Sequence, residues 1–182
     1  MHDYHGPRNF NDLVSFITKS TLPAVHELKT AEELNNFVNE HPINFIGCFD
    51  ESSTEAKELY KSAAKSLNLI INNAYFGAIP ASLKDTVQLS KCPSVIAHSL
   101  DFVPAEFELS PDSEEDTLKK WIIQNSLPAL GEITEDNMML YYESGLPMVW
   151  LVLQSPSTST LEWVRDIALQ YVGKLTFLWL DK

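Results

Sequence analysis

Cysteine, glycine, basic residues and long apolar runs are scarce in this sequence, and each shortage excludes a class of protein. Two cysteines are too few for a disulfide-dense scaffold or a zinc ribbon. The six glycines form no phosphate-binding loop, and we expect no cofactor. Lysine and arginine number 13 against 25 acidic residues, a formal charge of −12, which argues against nucleic acid as a partner. No apolar run reaches the roughly 18 residues of a membrane span, so membrane insertion is not expected.

One pattern occurs twice in the chain. PAVHEL begins at Pro23 and PALGEI begins at Pro128, an offset of 105 residues. At this offset, without a gap, apolar residues fall on apolar residues in pairs such as Leu13 with Leu118, Phe16 with Trp121, Ile17 with Ile122, Phe45 with Trp150 and Ala63 with Ala168. Agreement over so long a stretch predicts two structural copies of a small domain.

Each copy has the same order of elements. The helical patterns NDLVSFITKS and DTLKKWIIQNS are each followed by a proline and then by a short strand, AVHEL or ALGEI. TAEELNNFVNEH and TEDNMMLYYESG read as helices, each with an N-cap threonine, and they precede the apolar strands INFIGCF and MVWLVL. SSTEAKELYKSAAKSL and STSTLEWVRDIALQYVG then predict helices capped by serine or threonine, before the third strands AYFGAI and KLTFLWL. This order predicts an α/β fold with parallel neighbouring strands.

Only the first copy continues beyond its third strand. ASLKDTVQL predicts a short helix, PSVIAHSL and FVPAEFEL predict a hairpin, and DSEEDTLKKWIIQNS predicts a closing helix. The segment 11–20 matches that closing helix, so the chain begins with the last helix of one copy and ends after the third strand of another. We therefore expect part of a longer tandem array.

The order β-α-β-α-β, helix, hairpin, helix is that of the thioredoxin fold, and local motifs extend the resemblance. YHGPRNFNDLVSFITKSTLPAV resembles the end of a catalytic a domain of a protein disulfide isomerase. TAEELNNFVNEHPINFIGCF resembles the opening of the b domain, and LPALGEITEDNMMLYYESGLPMVWLVL that of b′. The resemblance implies tandem thioredoxin-like domains with mixed sheets flanked by helices. Residues 1–20 would be the terminal helix of an a domain, 21–127 the b domain, and 128–182 the first half of a truncated b′ domain.

Catalytic thioredoxin domains place C-x-x-C at the start of the helix after the second strand, where the helix N-terminus favours the thiolate. This chain has DESST at residues 50–54 and QSPST at residues 154–158. Thiol exchange requires a thiolate, which serine cannot supply. We therefore expect no catalytic residue and no isomerase activity in this chain by itself; the parent protein's activity would belong to a domains outside it.

The two cysteines allow two interpretations. Cys48 lies near the end of the second strand, and Cys92 precedes Pro93, a candidate for the cis-proline that leads into the fourth strand of thioredoxin-like folds. That fold pairs the second and fourth strands antiparallel, so the sulfurs could meet as a buried redox pair. The favoured interpretation is two unbonded core cysteines, because the geometry of a disulfide is narrow.

The resemblance also implies a peptide-binding surface. In the isomerase family the b′ domain carries an apolar pocket for unfolded chains, and its matching positions here are Ile133 and Tyr142, with Met138, Met139 and Tyr141 nearby. Methionine suits promiscuous apolar recognition because its side chain adapts its shape. The alternative is that this stretch is the buried face of a helix, as Phe37 suggests in the first copy.

Acidic residues offer a second function. The run at residues 112–116, DSEED, could form a weak calcium surface of the calsequestrin type, although the acidic first turn of a helix explains it more simply. The five histidines are scattered without metal-ligand spacing, so we expect no metal site.

Three functions remain after these exclusions. The leading one is a non-catalytic, chaperone-like b and b′ segment of a protein disulfide isomerase. Such a segment would space the catalytic domains and help to bind unfolded or partly folded polypeptides in the lumen of the endoplasmic reticulum. A calcium-binding thioredoxin-fold array comes second, and a free-standing redox enzyme that uses Cys48 comes last.

Overall fold

The computed structural model describes residues 10–71, 73–99, 104–135 and 137–182, and the chain divides into two compact units, Met1–Ile122 and Ile123–Lys182. We call these unit 1 and unit 2. Helix α1, Phe10–Thr21, which the resemblance assigns to the end of a preceding domain, lies within unit 1. The Tyr4-x-Gly6-x-Arg8 segment lies outside the described residues. Within the described part of the chain, no helix is long and apolar enough to cross a membrane.

Unit 1 contains a five-stranded sheet, and its helices precede, connect and follow the strands in the sequence. Its strands are β1 Val25–Glu27, β2 Ile43–Phe49, β3 Ala74–Pro80, β4 Ser94–Ser99 and β5 Ala105–Glu108. Its helices are α1 Phe10–Thr21, α2 Ala31–Glu40 and α3 Thr54–Leu67, a 3₁₀ helix Ala81–Val87, and α4 Glu115–Ser126, which ends in unit 2. The predicted order of elements is confirmed.

The sheet of unit 1 has the order β1-β3-β2-β4-β5, in which β1, β3 and β2 are parallel and β4 and β5 are antiparallel to their neighbours. All seven residues of β2 are buried, in agreement with a run that is apolar except for Asn44. Phe45 points to the side of α3 and α4: its ring lies 5.5 Å from Phe76 and 5.9 Å from Trp121. Cys48 points to the other side, where α2 packs.

Unit 2 repeats the first half of this arrangement. Its elements are β6 Leu130–Glu132, α5 Met138–Ser144, β7 Met148–Leu153, α6 Thr158–Leu169 and β8 Thr176–Asp181. The sheet has the order β6-β8-β7, and both pairings are parallel, as predicted. Among the described residues β7 pairs only with β8, so it is an edge strand, whereas β2 is central in unit 1.

The two predicted threonine caps have different outcomes. Thr30 caps α2 and accepts a hydrogen bond from the Glu33 amide at 3.2 Å, as predicted. The prediction that Thr134 caps α5 is wrong, because this helix begins at Met138. Thr134 and Asn137 instead bond to each other: the Asn137 side chain accepts from the Thr134 amide, and the Thr134 hydroxyl accepts from the Asn137 amide. This local turn replaces the first helical turn.

The gapless offset of 105 residues holds for helices α1 and α4 and for the first strands, β1 and β6, but not beyond them. In the sheets, Phe45 lies opposite Phe76, whereas Val149 lies opposite Phe177, so β7 matches β2 at an offset of 104. The helix caps Ser53 and Ser157 agree with that offset. Because strand side chains alternate between faces, one residue of slip puts Trp150 on the face opposite to that expected from its match with Phe45.

Candidate functional site

The start of α3, where the resemblance places C-x-x-C, is closed by a hydroxyl and carboxylate network. One oxygen of Asp50 accepts hydrogen bonds from the Ser52 amide at 3.0 Å and from the hydroxyls of Ser52 at 2.7 Å and Ser53 at 2.6 Å. These hydrogen bonds, that from Ser53 first, lower the pKa of Asp50. The network closes the turn before α3, but the Ser53 side chain accepts no hydrogen bond from the first turn of the helix, so the predicted serine cap of α3 is not formed. The network supplies no nucleophile.

The start of α6 is built in a similar way. The Ser157 hydroxyl accepts a hydrogen bond from the Thr160 amide at 3.2 Å, which confirms the predicted serine cap. Ser155 has a φ of 43°, and its amide donates to Asp181 at 2.7 Å. Both helix starts therefore carry hydroxyl groups where a redox-active domain would carry thiols; those at α3 donate to the Asp50 carboxylate, and that of Ser157 at α6 accepts from the Thr160 amide.

The cysteines form a disulfide, contrary to the favoured interpretation of two unbonded core residues. Cys48 and Cys92 have Cα atoms 5.3 Å apart, and the Cys92–Pro93 peptide bond is cis. Cys48 lies opposite Ser94 in the β2–β4 pairing, which brings the residue before Pro93 within bridging distance. Cys48 is fully buried, and Cys92 is half-buried.

A cleft of about 570 Å³ lies between the α3 start and Pro93. Its walls include Ser53, Leu59, Leu109 and Pro111. The sequence singled out Pro93 but neither Leu59 nor Leu109. Leu109 reaches the cleft only through the β4–β5 pairing, and its amide donates a hydrogen bond to the Pro93 carbonyl at 3.1 Å.

Lys19 is a buried cation that the sequence did not single out. Its Nζ donates to the carbonyl oxygens of Asn68 at 3.3 Å, Ile71 at 3.0 Å and Ala74 at 2.7 Å, and it lies 4.3 Å from the centroid of the Tyr75 ring. Burial lowers the pKa of Lys19 from 10.5 to about 8. These bonds attach α1 to the end of α3 and to the start of β3. The only signal in the sequence is that Lys19 follows Phe16 at helical spacing.

The predicted peptide-binding residues divide into an exposed group and a buried group. Met138, Met139 and Tyr142 share the outer side of α5 and are 37%, 64% and 55% exposed. Ile133 is half-buried against the core of unit 2. The expectation that Tyr141 contacts a peptide is wrong, because this residue is only 2% exposed and belongs to the core. Tyr141 lies about 160° around the helix from Met139, so it faces the core when Met139 faces outward.

Two further apolar side chains are exposed on β7. Trp150 and Val152 are 45% and 61% exposed, at alternate positions on one face of this edge strand. The sequence indicated buried residues here, because MVWLVL reads like INFIGCF. In unit 1 the corresponding face of β2 packs against α2 and the 3₁₀ helix, including Leu83 and Val87.

Replacement of Gly131 by alanine is expected to destabilise unit 2. A Cβ atom at Gly131 would overlap the Tyr141 hydroxyl and lie 3.0 Å from its Cζ, and Tyr141 is held in the core. Overpacking of this kind costs about 1 to 3 kcal/mol, which urea denaturation measures. The double variant Gly131→Ala/Tyr141→Phe lacks the hydroxyl, so its loss of stability should be smaller than the sum of the losses in the two single variants. Additive effects would show that the hydroxyl does not limit the space at Gly131.

Histidine and acidic residues form no metal cluster in the part of the chain that the structure describes. His41 stacks on the Tyr75 ring with centroids 3.7 Å apart, and burial lowers its pKa. The 112–116 acidic run includes the first turn of α4, where Glu115 bonds to Lys119. His2 and His5 lie outside the described residues.

Comparison with known proteins gives a consistent family. The profile of the thioredoxin-like domain matches residues 49–182. A protein disulfide-isomerase of Aspergillus oryzae is 24% identical over 180 residues, which cover 98% of this chain and 34% of that protein. Endoplasmic reticulum resident protein 44 of Mus musculus is 24% identical over 183 residues, which cover 98% of this chain and 44% of that protein. The chain therefore spans less than half the length of these relatives.

A solved structure extends the agreement to the fold. The crystal structure of the bb fragment of ERp72 superposes with a TM-score of 0.59 and 18% identity, over 88% of this chain and 75% of that chain. The mixed sheets flanked by helices confirm the α/β thioredoxin-like fold predicted from the order of elements. The chain thus belongs to the thioredoxin-like domain family and is a relative of the protein disulfide isomerases.

Proposed function

We propose that this chain is a non-catalytic, client-binding part of a protein of the disulfide isomerase type. The observation that carries the proposal is the outer side of α5, where Met138, Met139 and Tyr142 are exposed together. Contiguous apolar side chains at a surface favour association with other apolar chains, and methionine accommodates varied partners. The exposed Trp150 and Val152 on β7 add apolar surface to the same unit.

The non-catalytic part of the proposal rests on chemistry at the helix starts. The sequence contains no C-x-x-C, and its two cysteines, neither of which stands at a helix start, are joined in a disulfide. Isomerase activity needs a thiolate that can attack a client disulfide. In this proposal the chain spaces catalytic domains and holds clients in the lumen of the endoplasmic reticulum. The name of its relative from Mus musculus, endoplasmic reticulum resident protein 44, supports that compartment.

Peptide binding tests the proposal directly. Titration of a labelled, unstructured, apolar peptide with the chain should give a saturable rise in fluorescence anisotropy. The Met139→Ser/Tyr142→Ser variant should bind about tenfold more weakly, since a few apolar residues carry most of the affinity of such surfaces. Ile70→Ser is the matched control, because Ile70 is 53% exposed but lies in unit 1.

Two outcomes separate the proposal from its competitors. Absence of binding by the wild-type chain contradicts client binding, and equal binding by the α5 variant contradicts the assignment to α5. A parallel titration with calcium tests the array function, which would appear as calcium-dependent compaction in sedimentation velocity. Among the described residues, no group of three or more histidine, cysteine, aspartate or glutamate side chains is arranged to hold a metal ion.

A further inference from the structure

Strand β1 has one edge without a partner strand among the described residues. It lies at the end of the unit 1 sheet and pairs with β3 alone, so the edge results from the strand order within unit 1. On the β3 side, the Leu28 amide donates to the Ala78 carbonyl at 2.8 Å. Because backbone groups alternate between the two sides of a strand, the amides and carbonyls of Val25 and Glu27 point away from β3. An edge of this kind can take up another strand.

A cleft of about 1050 Å³ follows this edge. Residues 22–28, which contain β1, form one wall, and Lys61 and Lys65 of α3 form part of another. Glu33 of α2 also lies at the cleft, where its carboxylate accepts a hydrogen bond from the Lys29 amide at 2.7 Å. A cleft along an edge strand suits an extended peptide, because the main chain of the peptide can bond to the strand.

Three lysines of α3 stand in a row beside the same edge. Lys57, Lys61 and Lys65 are four residues apart, so they share one side of the helix. A Glu27 oxygen lies 3.0 Å from Lys57 Nζ and the other lies 3.3 Å from Lys61 Nζ, which places this side of α3 against β1. Glu58 also contacts Lys61, at 3.9 Å. Lys65 is exposed and has no anionic partner in the part of the chain that the structure describes, so positive charge is left over beside the edge.

Unit 2 does not repeat this combination. At the offset of 104 residues that relates α3 to α6, Leu161, Arg165 and Leu169 take the places of the three lysines. Leu127–Ala129, which match residues 22–24, line a space of only about 10 Å³. The cleft and the lysine row therefore distinguish unit 1 from the second copy of the fold.

We propose that the outer edge of β1 binds an extended peptide segment, with acidic side chains at alternate positions, as an added strand. Alternate strand residues are about 6.6 Å apart, and residues four apart on a helix are about 6 Å apart, so successive acidic side chains can meet Lys61 and Lys65. Hydrogen bonds to Val25 and Glu27 hold the main chain, and the charges fix its register. Residues 1–9 contain one acidic residue, so the chain's own N-terminal segment lacks this pattern.

Fluorescence anisotropy with a labelled peptide that contains Glu-Val-Glu-Val-Glu tests the proposal. The wild-type chain should bind it saturably, and Lys65→Glu should bind about tenfold more weakly. Lys120→Glu is the matched control, because it also replaces an exposed helical lysine of unit 1 but lies away from the cleft, and it should bind like the wild type. The Met139→Ser/Tyr142→Ser variant should also bind normally, since this edge is separate from the α5 surface.

Methylated peptides distinguish strand addition from simple charge attraction. Methyl groups on alternate amide nitrogens that face β1 should abolish binding, whereas methyl groups on the other set should be tolerated. Hydrogen exchange of the Val25 and Glu27 amides should slow in the complex. The proposal is overturned if the wild type does not bind the peptide, if Lys65→Glu and Lys120→Glu bind equally, or if both methylated peptides behave alike.

Discussion

Reduction of the Cys48–Cys92 disulfide is expected to lower the free energy of unfolding of unit 1 by about 4 kcal/mol. The bond closes a loop with a sequence separation of 44 residues, and cross-linking removes the conformational entropy of that loop from the unfolded chain. It also joins the end of β2 to the segment before β4, two strands at the centre of the sheet. Urea denaturation with and without dithiothreitol measures the difference.

A double variant controls for effects of the reductant itself. Cys48→Ala/Cys92→Ala should unfold at a lower urea concentration than the oxidised wild type and should not respond to dithiothreitol. Thiol titration of the unfolded wild type should find no free thiol before reduction and two afterwards. Identical denaturation curves for the oxidised and reduced wild type would contradict a stabilising bond.

The sequence predicts that Cys48 and Cys92 lie near each other but not that they are bonded. The antiparallel pairing of β2 with β4 follows from the order of elements, and it brings the two cysteines to the same end of the sheet. Whether a bond forms depends on the separation and direction of the Cβ atoms, which vary by more than the bond tolerates. The pattern of strands could place Cys48 near Cys92, but only the structure gives their Cα separation of 5.3 Å.

For the α5 surface the sequence predicted the segment but not which of its side chains face solvent. The resemblance indicated residues 133–142, but the side of a helix that faces solvent depends on where the helix begins and on which strand face it covers. The Thr134–Asn137 turn delays the start of α5 to Met138, and Tyr141 then faces Leu178 in the core. Met139 and Tyr142 remain available, whereas Tyr141 does not.

The exposure of side chains on β7 could not be predicted from the residues of the strand itself. Trp150 and Val152 belong to a strand as apolar as β2, and β2 is fully buried because β4 pairs with its edge and the 3₁₀ helix covers its face. Burial of a strand depends on elements far away in sequence, whereas the enrichment in β-branched and aromatic residues that indicates a strand can be read locally. The strand was therefore predictable and its exposure was not.

The buried ammonium group of Lys19 is expected to make stability rise with pH. Burial lowers its pKa in the folded chain to about 8, against 10.5 for an unburied lysine, so between these values the unfolded chain binds more protons than the folded chain. The free energy of unfolding then increases with pH, by about 2 to 3 kcal/mol between pH 8 and pH 10. This contribution is absent below pH 8, where Lys19 is protonated in both states.

The difference between the wild type and Lys19→Met isolates this contribution, because all other groups titrate in both proteins. Urea denaturation at intervals from pH 7 to pH 10 should show a constant difference up to pH 8 and a widening one above it, in favour of the wild type. Lys29→Met is the matched control, since Lys29 is exposed and should leave the wild-type slope intact. A difference independent of pH would mean that the Asn68, Ile71 and Ala74 carbonyls hold the charge so well that burial costs it nothing.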